Sequence, residues 1–342
     1  MKLPFLELLD DFPKKTILVL GDAILDSYLE GSSTRLCREA PVPIVDINQE
    51  SRYPGGAANT AVSVAAMGAT CLLFSAVGKD AAGDDLRQRL STHGVNIFNL
   101  LSVPERETLF KQRIVANNQI IARVDQGSTH AIEAVEAKRL ASLLEAYYKT
   151  ENLDGVIVSD YGYGTITPSI LAKLRELSAL FKYPLIIDAK DLTKYNKLNE
   201  FKAMAMTPNY AEAMAILGQP ILPAGAERRK QVLTKGGFLL NLINSKIVVV
   251  TLDQDGAVVF ERGLFPLHIP TTPQKGTVGG AGDTFIATFT LALCAGTTPE
   301  VATHLGVQAA TTAVSLPGTA TCTLNHLQRS LQIESETHRL NA

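Results

Sequence analysis

Between residues 131 and 217, short apolar runs alternate with longer amphipathic ones, and this alternation limits the fold more than any other feature of the chain. Its period predicts helix over 131–149, strand over 155–159, helix over 168–181, strands over 184–188 and 203–206, and helix over 209–217. Strands joined through helices lie parallel, since each helix carries the chain back across a face of the sheet. Upstream, Thr16-Ile17-Leu18-Val19-Leu20-Gly21 is a continuous apolar run that fits a strand buried on both faces. The class is therefore α/β, a doubly wound, mostly parallel sheet flanked by helices. Asp22, Asp160 and Asp188 each stand at the carboxyl end of one such strand. Ligands of open parallel sheets bind beyond those ends, so the three acids mark one rim as a candidate site. Singly, each reads as well as a loop residue or helix cap.

Three stretches break the period. From Ser27 to Tyr53, Val42, Ile44 and Ile47 with Pro41 and Pro43 suggest extended strands without a helix, an excursion from the main sheet. Thr108 to Val115 and Ile120 to Val124 alternate polar and apolar residues about Asn117-Asn118, which fits a hairpin with one solvated face. Ile247 to Thr251 and Ala257 to Phe260 read as a hairpin-like pair beyond the parallel strands, and Pro299 to Leu316 as the last helix.

Two glycine turns carry the chemistry. In Gly279-Gly280-Ala281-Gly282-Asp283-Thr284 the small residues leave backbone N–H groups uncovered, and the apolar run from Phe285 to Cys294 has helical spacing. A helix N-terminus there would point its unpaired amides and positive dipole end at a phosphate or oxyanion. Asp283 would repel such a ligand unless its task is to take a proton from the attacking group; the alternative is an ordinary N-terminal cap. Gly55-Gly56-Ala57-Ala58-Asn59 opens a second helix of small residues, with Asn59 able to donate and accept from its first turn, or to serve only as a surface amide.

Composition removes other classes. A net charge of −2 gives no attraction to nucleic acid or to an anionic membrane, and no apolar run reaches the ~18 residues of a membrane helix. The four cysteines, Cys37, Cys71, Cys294 and Cys322, are far apart and lack metal spacing, which suits reduced thiols in the cytoplasm.

The glycine motifs, together with Asn209-Tyr210-Ala211-Glu212 in the place of an NxxE motif, resemble those of the ribokinase-like (PfkB) carbohydrate kinases over nearly the whole chain. A narrower resemblance, carried by Gly21 to Asp26, Arg38 to Val45 and Pro54-Gly55-Gly56, is to the kinases that phosphorylate D-glycero-β-D-manno-heptose 7-phosphate at O1 for ADP-heptose and lipopolysaccharide core synthesis. The resemblance implies one kinase domain over 1–342, with a β-sheet lid from about 27–53 and 108–125 that in many relatives pairs with a second subunit. It implies ATP and Mg²⁺, with a monovalent cation in some relatives. Asp283 would be the base, and Gly280, Ala281 and Gly282 the anion hole. Asp22 and Asp26 would hold sugar hydroxyls beside Gly55, Gly56, Asn59 and Asp160. Lys111, Arg113, Arg123 and Lys190 would meet the substrate's phosphate, or else be solvated surface charges. Asn209 and Glu212 would position Mg²⁺, and Thr251, Gly256 and Gly279 would border the nucleotide. The chain departs from the family string at Thr277, where an aspartate is usual, at Gly279, where a threonine is usual, and at Val307-Gln308, where relatives often carry an asparagine near the adenine. A kinase for another sugar or nucleoside, and a non-catalytic sugar or nucleotide sensor, fit the shared motifs too.

Overall fold

The computed structural model describes residues 4–150, 152–192, 195, 203–272, 279–316 and 321–340. In chain order the strands are β1 (Thr16–Gly21), β2 (Ala23–Leu36), β3 (Pro43–Gly56), β4 (Thr70–Gly78), β5 (Leu100–Val103), β6 (Leu109–Ala116), β7 (Gln119–Gln126), β8 (Gly155–Asp160), β9 (Leu185–Ala189), β10 (Ala205–Met206), β11 (Ile247–Thr251), β12 (Ala257–Glu261) and β13 (Leu267–Ile269). Among the described residues, nine strands form one sheet in the order β13-β12-β11-β10-β9-β8-β1-β4-β5. Pairing is parallel from β5 to β11 and antiparallel at β11-β12-β13, the predicted edge hairpin plus one strand. The centre is apolar on both faces: Ile17 and Val19 pack on one side, Leu18 and Leu20 on the other. Helices Ala57–Ala66, Ala281–Cys294 and Pro299–Ser315 cover the first side. Ala134–Thr150, Pro168–Leu180 and Tyr210–Leu217 cover the second.

The chain leaves this sheet at one residue. β1 ends at Gly21, and β2 begins at Ala23 in a second sheet of order β3-β2-β6-β7, built from the two segments set apart by their texture. Asn117 and Asn118 both take positive φ (51° and 63°), as a two-residue turn between twisted antiparallel strands demands. The two sheets differ in cover. Every residue of β8 is buried, whereas every residue of β7 is exposed, Ile120, Ile121 and Val124 included.

Pro299–Ser315 is not the last helix; Leu324–Leu340 follows it, its leucines Leu327 and Leu331 buried against the first core. No helix among the described residues is long and apolar enough to cross a membrane.

Candidate active site

The glycine turn lies where the sheets meet. Helix Ala281–Cys294 starts at Gly280, whose φ of 83° suits glycine, and a side chain there would strike the Asn59 amide. No side chain caps this start, so the first amides, including those of Ala281 and Gly282, have no partner within the helix. Three cavities border the turn. One holds Asp26, Asn59, Lys111, Arg113, Tyr161 and Asp283; a second holds Asp188, Lys190, Asn209 and Glu212; a third, largely apolar, holds Thr251, Gly256, Phe285, Val307, Ala310 and Val314. Gly280 and Gly279 line the first, Gly282 the second and third, and Ala281 the third.

Asp283 stands in the first turn of its helix, buried, facing the first cavity. Its Oδ2 accepts from Asn59 Nδ2 at 2.7 Å; its Oδ1 accepts from Thr60 Oγ1 and from the Tyr161 hydroxyl, both at 3.0 Å. Burial pushes its carboxyl up to about 6, against the pull of these three donors. A carboxyl in that range is mostly ionised at neutral pH and can take a proton from a hydroxyl. The cap alternative fails, because no capping bond runs from this side chain to the helix start.

Asp26 reaches the first cavity from β2 and accepts from Arg113 Nη1 on β6 at 2.6 Å, with the Arg113 guanidinium 5.1 Å from the Tyr28 ring centroid. Gly55 is required beside it, since a side chain at that position would run into the Asp26 carboxylate. Gly56 lines the same cavity with φ 56°. Lys111 donates to the Tyr163 hydroxyl at 2.8 Å. Burial would raise that phenol, but Lys111 and Lys190 outweigh it and hold it below its usual range.

Several expected residues sit elsewhere. Asp22 does not line the first cavity: it is fully buried, and its carboxylate accepts from the backbone amides of Tyr161, Tyr163 and Thr165 at 2.9–3.0 Å. Its position between the sheets, rather than the strand-end pattern, decides this. Asp160 lines the second cavity, not the first, and accepts from Gly162 N and the Tyr195 hydroxyl. Arg123 is exposed on β7 and forks onto Asp125 at 2.8 and 2.9 Å, because residues two apart on a strand share a face. Lys190 opens on the second cavity, 5.3 Å from the ring centroids of both Tyr161 and Tyr163. Asn209 and Glu212 form a capping box, each side chain bonded to the other's backbone N–H, while both still face the second cavity. Gln308 turns away from the third cavity to Ser330, leaving Val307 on its wall. Thr277 lies outside the described residues.

Tyr161 is the residue missed by reading the sequence. Nothing in Asp160-Tyr161-Gly162 marks a tyrosine for a bond to an acid 122 residues away; only the strand-end position of Asp160 pointed to this loop.

Residues 14–326 match the model of the pfkB family carbohydrate kinases. The chain belongs to that family. It is an ATP-dependent carbohydrate kinase. The kinase is 36% identical over 329 residues to the bifunctional protein HldE of Nitrosococcus oceani, covering 94% of this chain and 65% of that one. It is 34% identical over 308 residues to HldE of Geobacter sulfurreducens, covering 89% and 60%. The chain thus spans a little under two thirds of the length of these curated relatives. Among solved structures, Arabidopsis thaliana ribokinase complexed with ribose and ATP superposes with a TM-score of 0.71 at 20% identity, covering 93% of this chain and 98% of that one. Escherichia coli phosphofructokinase-2 in complex with substrates and products gives 0.73 at 19%, covering 94% and 99%. At those identities the likeness establishes the ribokinase-like fold.

Proposed function

We propose that this kinase phosphorylates a sugar that already carries a phosphate, with D-glycero-β-D-manno-heptose 7-phosphate, converted to the 1,7-bisphosphate, as the substrate best supported. The observation that carries the reading is the Asp283 carboxylate, held by three donors at an uncapped helix start between a charged cavity and an apolar one. The sugar enters the first cavity, where the Asp26–Arg113 pair and Asn59 meet its hydroxyls. The nucleotide enters the third, its base against Val307, Ala310 and Val314 and its phosphates toward Gly282.

Asp283 takes the proton of the acceptor hydroxyl as that oxygen bonds to the γ-phosphorus. The bond from that phosphorus to the bridging β–γ oxygen breaks, and ADP leaves. Charge spread over the moving phosphoryl group falls on the amides of Ala281 and Gly282, where a donor of this kind is worth about 3–4 kcal/mol. The substrate's own phosphate finds Lys111 and Arg113 in the first cavity and Lys190 in the second.

Mg²⁺ fits this donor set in a limited way. Among the described residues no group of three His, Cys, Asp or Glu side chains could hold an ion by itself. Asp188 and Glu212 face one cavity, and burial pushes both carboxyls up, Asp188 further raised by Asp283 and Glu212. Such an undercompensated oxygen-rich wall suits Mg²⁺ arriving with its waters on the nucleotide, where it would neutralise phosphate charge. Asp188, Asn209 and Glu212 would face it.

The uncovered β7, with Ile120, Ile121 and Val124 exposed, supports pairing of the second sheet with that of another copy, and a cytoplasmic setting supplies ATP. A coupled ADP-release assay over phosphorylated and free sugars tests the reading. Heptose 7-phosphate should turn over fastest, and Asp283→Asn should lower kcat by about 10²- to 10⁴-fold. A faster free sugar or nucleoside would replace the substrate, and ATP binding without ADP release on any of them would replace the activity.

A further inference from the structure

We propose that Tyr161 is a positioning residue for the base: its hydroxyl fixes the Asp283 carboxylate toward the acceptor, and Asp22 with Arg106 clamps the loop that presents it. The inference rests on Asp283 acting as the base.

The three donors around Asp283 are unevenly shared. Oδ1 receives two hydroxyls, from Thr60 and Tyr161, while Oδ2 receives one amide, from Asn59. The larger remaining acceptor capacity is therefore on Oδ2. Thr60 and Asn59 come from the helix packed against Asp283's own, whereas Tyr161 comes from the loop after β8, so the phenol ties the base to the central sheet. The titratable groups facing Asp283 are Tyr161 itself, Asp26 on β2 and Asp188 on β9. Lys190 lies beyond, over the Tyr161 ring. Burial, then Asp283 and Asp188, push the phenol well above its usual range, so it stays a donor throughout the working pH.

The loop carrying Tyr161 is held from two sides by opposite charges. Asp22 takes its amides at Tyr161, Tyr163 and Thr165. Buried Arg106 donates to the Tyr163 carbonyl at 2.6 Å and to those of His130 and Ser128 at 2.9 and 3.2 Å. An anion that collects N–H groups and a cation that collects carbonyls leave the loop little freedom. This gives Asp22 a task that its distance from the sugar cavity otherwise leaves unexplained.

The test is the pH profile of kcat and kcat/KM. Tyr161→Phe keeps the ring and removes one donor to the carboxylate, so the acidic limb should move to higher pH. At neutral pH kcat should fall by about 10- to 100-fold, the worth of a hydrogen bond to a charged group, with both KM values within about twofold. A fluorinated tyrosine incorporated at 161, a more acidic phenol and stronger donor, should move the limb to lower pH. Opposite shifts from the two replacements are not a consequence of loosened packing. Unmoved limbs in both, with Asp283→Asn inactive, would overturn the role of Tyr161 alone; a fully active Asp283→Asn would overturn the base itself.

Discussion

The two ends of the cleft are built from different material. The end proposed for the sugar is charged and comes from the second sheet: Asp26 and Lys111 and Arg113 project from β2 and β6, which pair side by side. The end proposed for the nucleotide is largely apolar and comes mostly from helices of the main layer, with Phe285, Val307, Ala310 and Val314 on its wall. The difference predicts where selectivity lies. A site of buried polar groups rejects a substrate that leaves them unpaired by about 10⁴- to 10⁵-fold, whereas an apolar slot distinguishes occupants by about 10- to 200-fold. This kinase should therefore be strict about its sugar and tolerant of the purine of its nucleotide.

The strongest way to break that contrast is at Asp26. Asp26→Ala leaves Arg113, only 19% exposed, without its carboxylate, and would remove the partner proposed for the sugar hydroxyls. Loss of one member of such a pair costs about 2–5 kcal/mol, so kcat/KM for the sugar should fall by about 30-fold or more, of order 10²-fold at mid-range, while the KM for ATP holds. An equal loss for both substrates in steady-state kinetics would mean that the ends are not independent.

Between the ends sits Asp283, the proposed base, whose environment would set the pH response. With the Asp283 carboxyl at about 6, deprotonation favours activity, so turnover should fall about tenfold from pH 7 to pH 5. Profiles of kcat/KM taken with either substrate limiting should share this limb. A limb near 4 would place the proton acceptor elsewhere.

On the apolar side, Ala310→Leu adds bulk to the wall of the cavity proposed for the nucleotide. Overpacking of this kind costs about 1–3 kcal/mol, so the KM for ATP should rise roughly tenfold with that for the sugar unchanged. The same variant should discriminate among purine nucleotides more sharply than the parent, which a nucleotide panel would read.

How far these ends could be read beforehand follows from the range of the interactions. The sheet, its helices and the glycine turn depend on local periodicity and on glycine's backbone, so β1, β8, β9 and the helix start at Gly280 fall where the spacing put them. The two aspartates four residues apart, Asp22 and Asp26, are alike in sequence. Only the crossing from one sheet to the other buries the first under three amides and turns the second into the cleft. Asn209 and Glu212 show the same limit in reverse: their spacing suits a capping box as well as a role beside Mg²⁺, and the structure has them forming the box while both line the second cavity. Tyr161 was hidden because its partner is 122 residues away.

The smallest expected effect concerns Arg123, where the pattern of residues suggested a contact with substrate. On β7 its guanidinium is 53% exposed and engaged with Asp125, itself 42% exposed. A pair this open contributes about 0–1 kcal/mol, and nothing in the cavity loses a partner when it goes. Arg123→Ala should therefore change the sugar KM by less than about threefold, against the hundredfold expected from Asp26→Ala. The measurement is most informative when made on the monomer and on any dimer separated by size exclusion. A large rise in KM confined to the dimer would mean that the second sheet of one copy brings Arg123 to the sugar of another. The charged end of the cleft would then be completed between subunits.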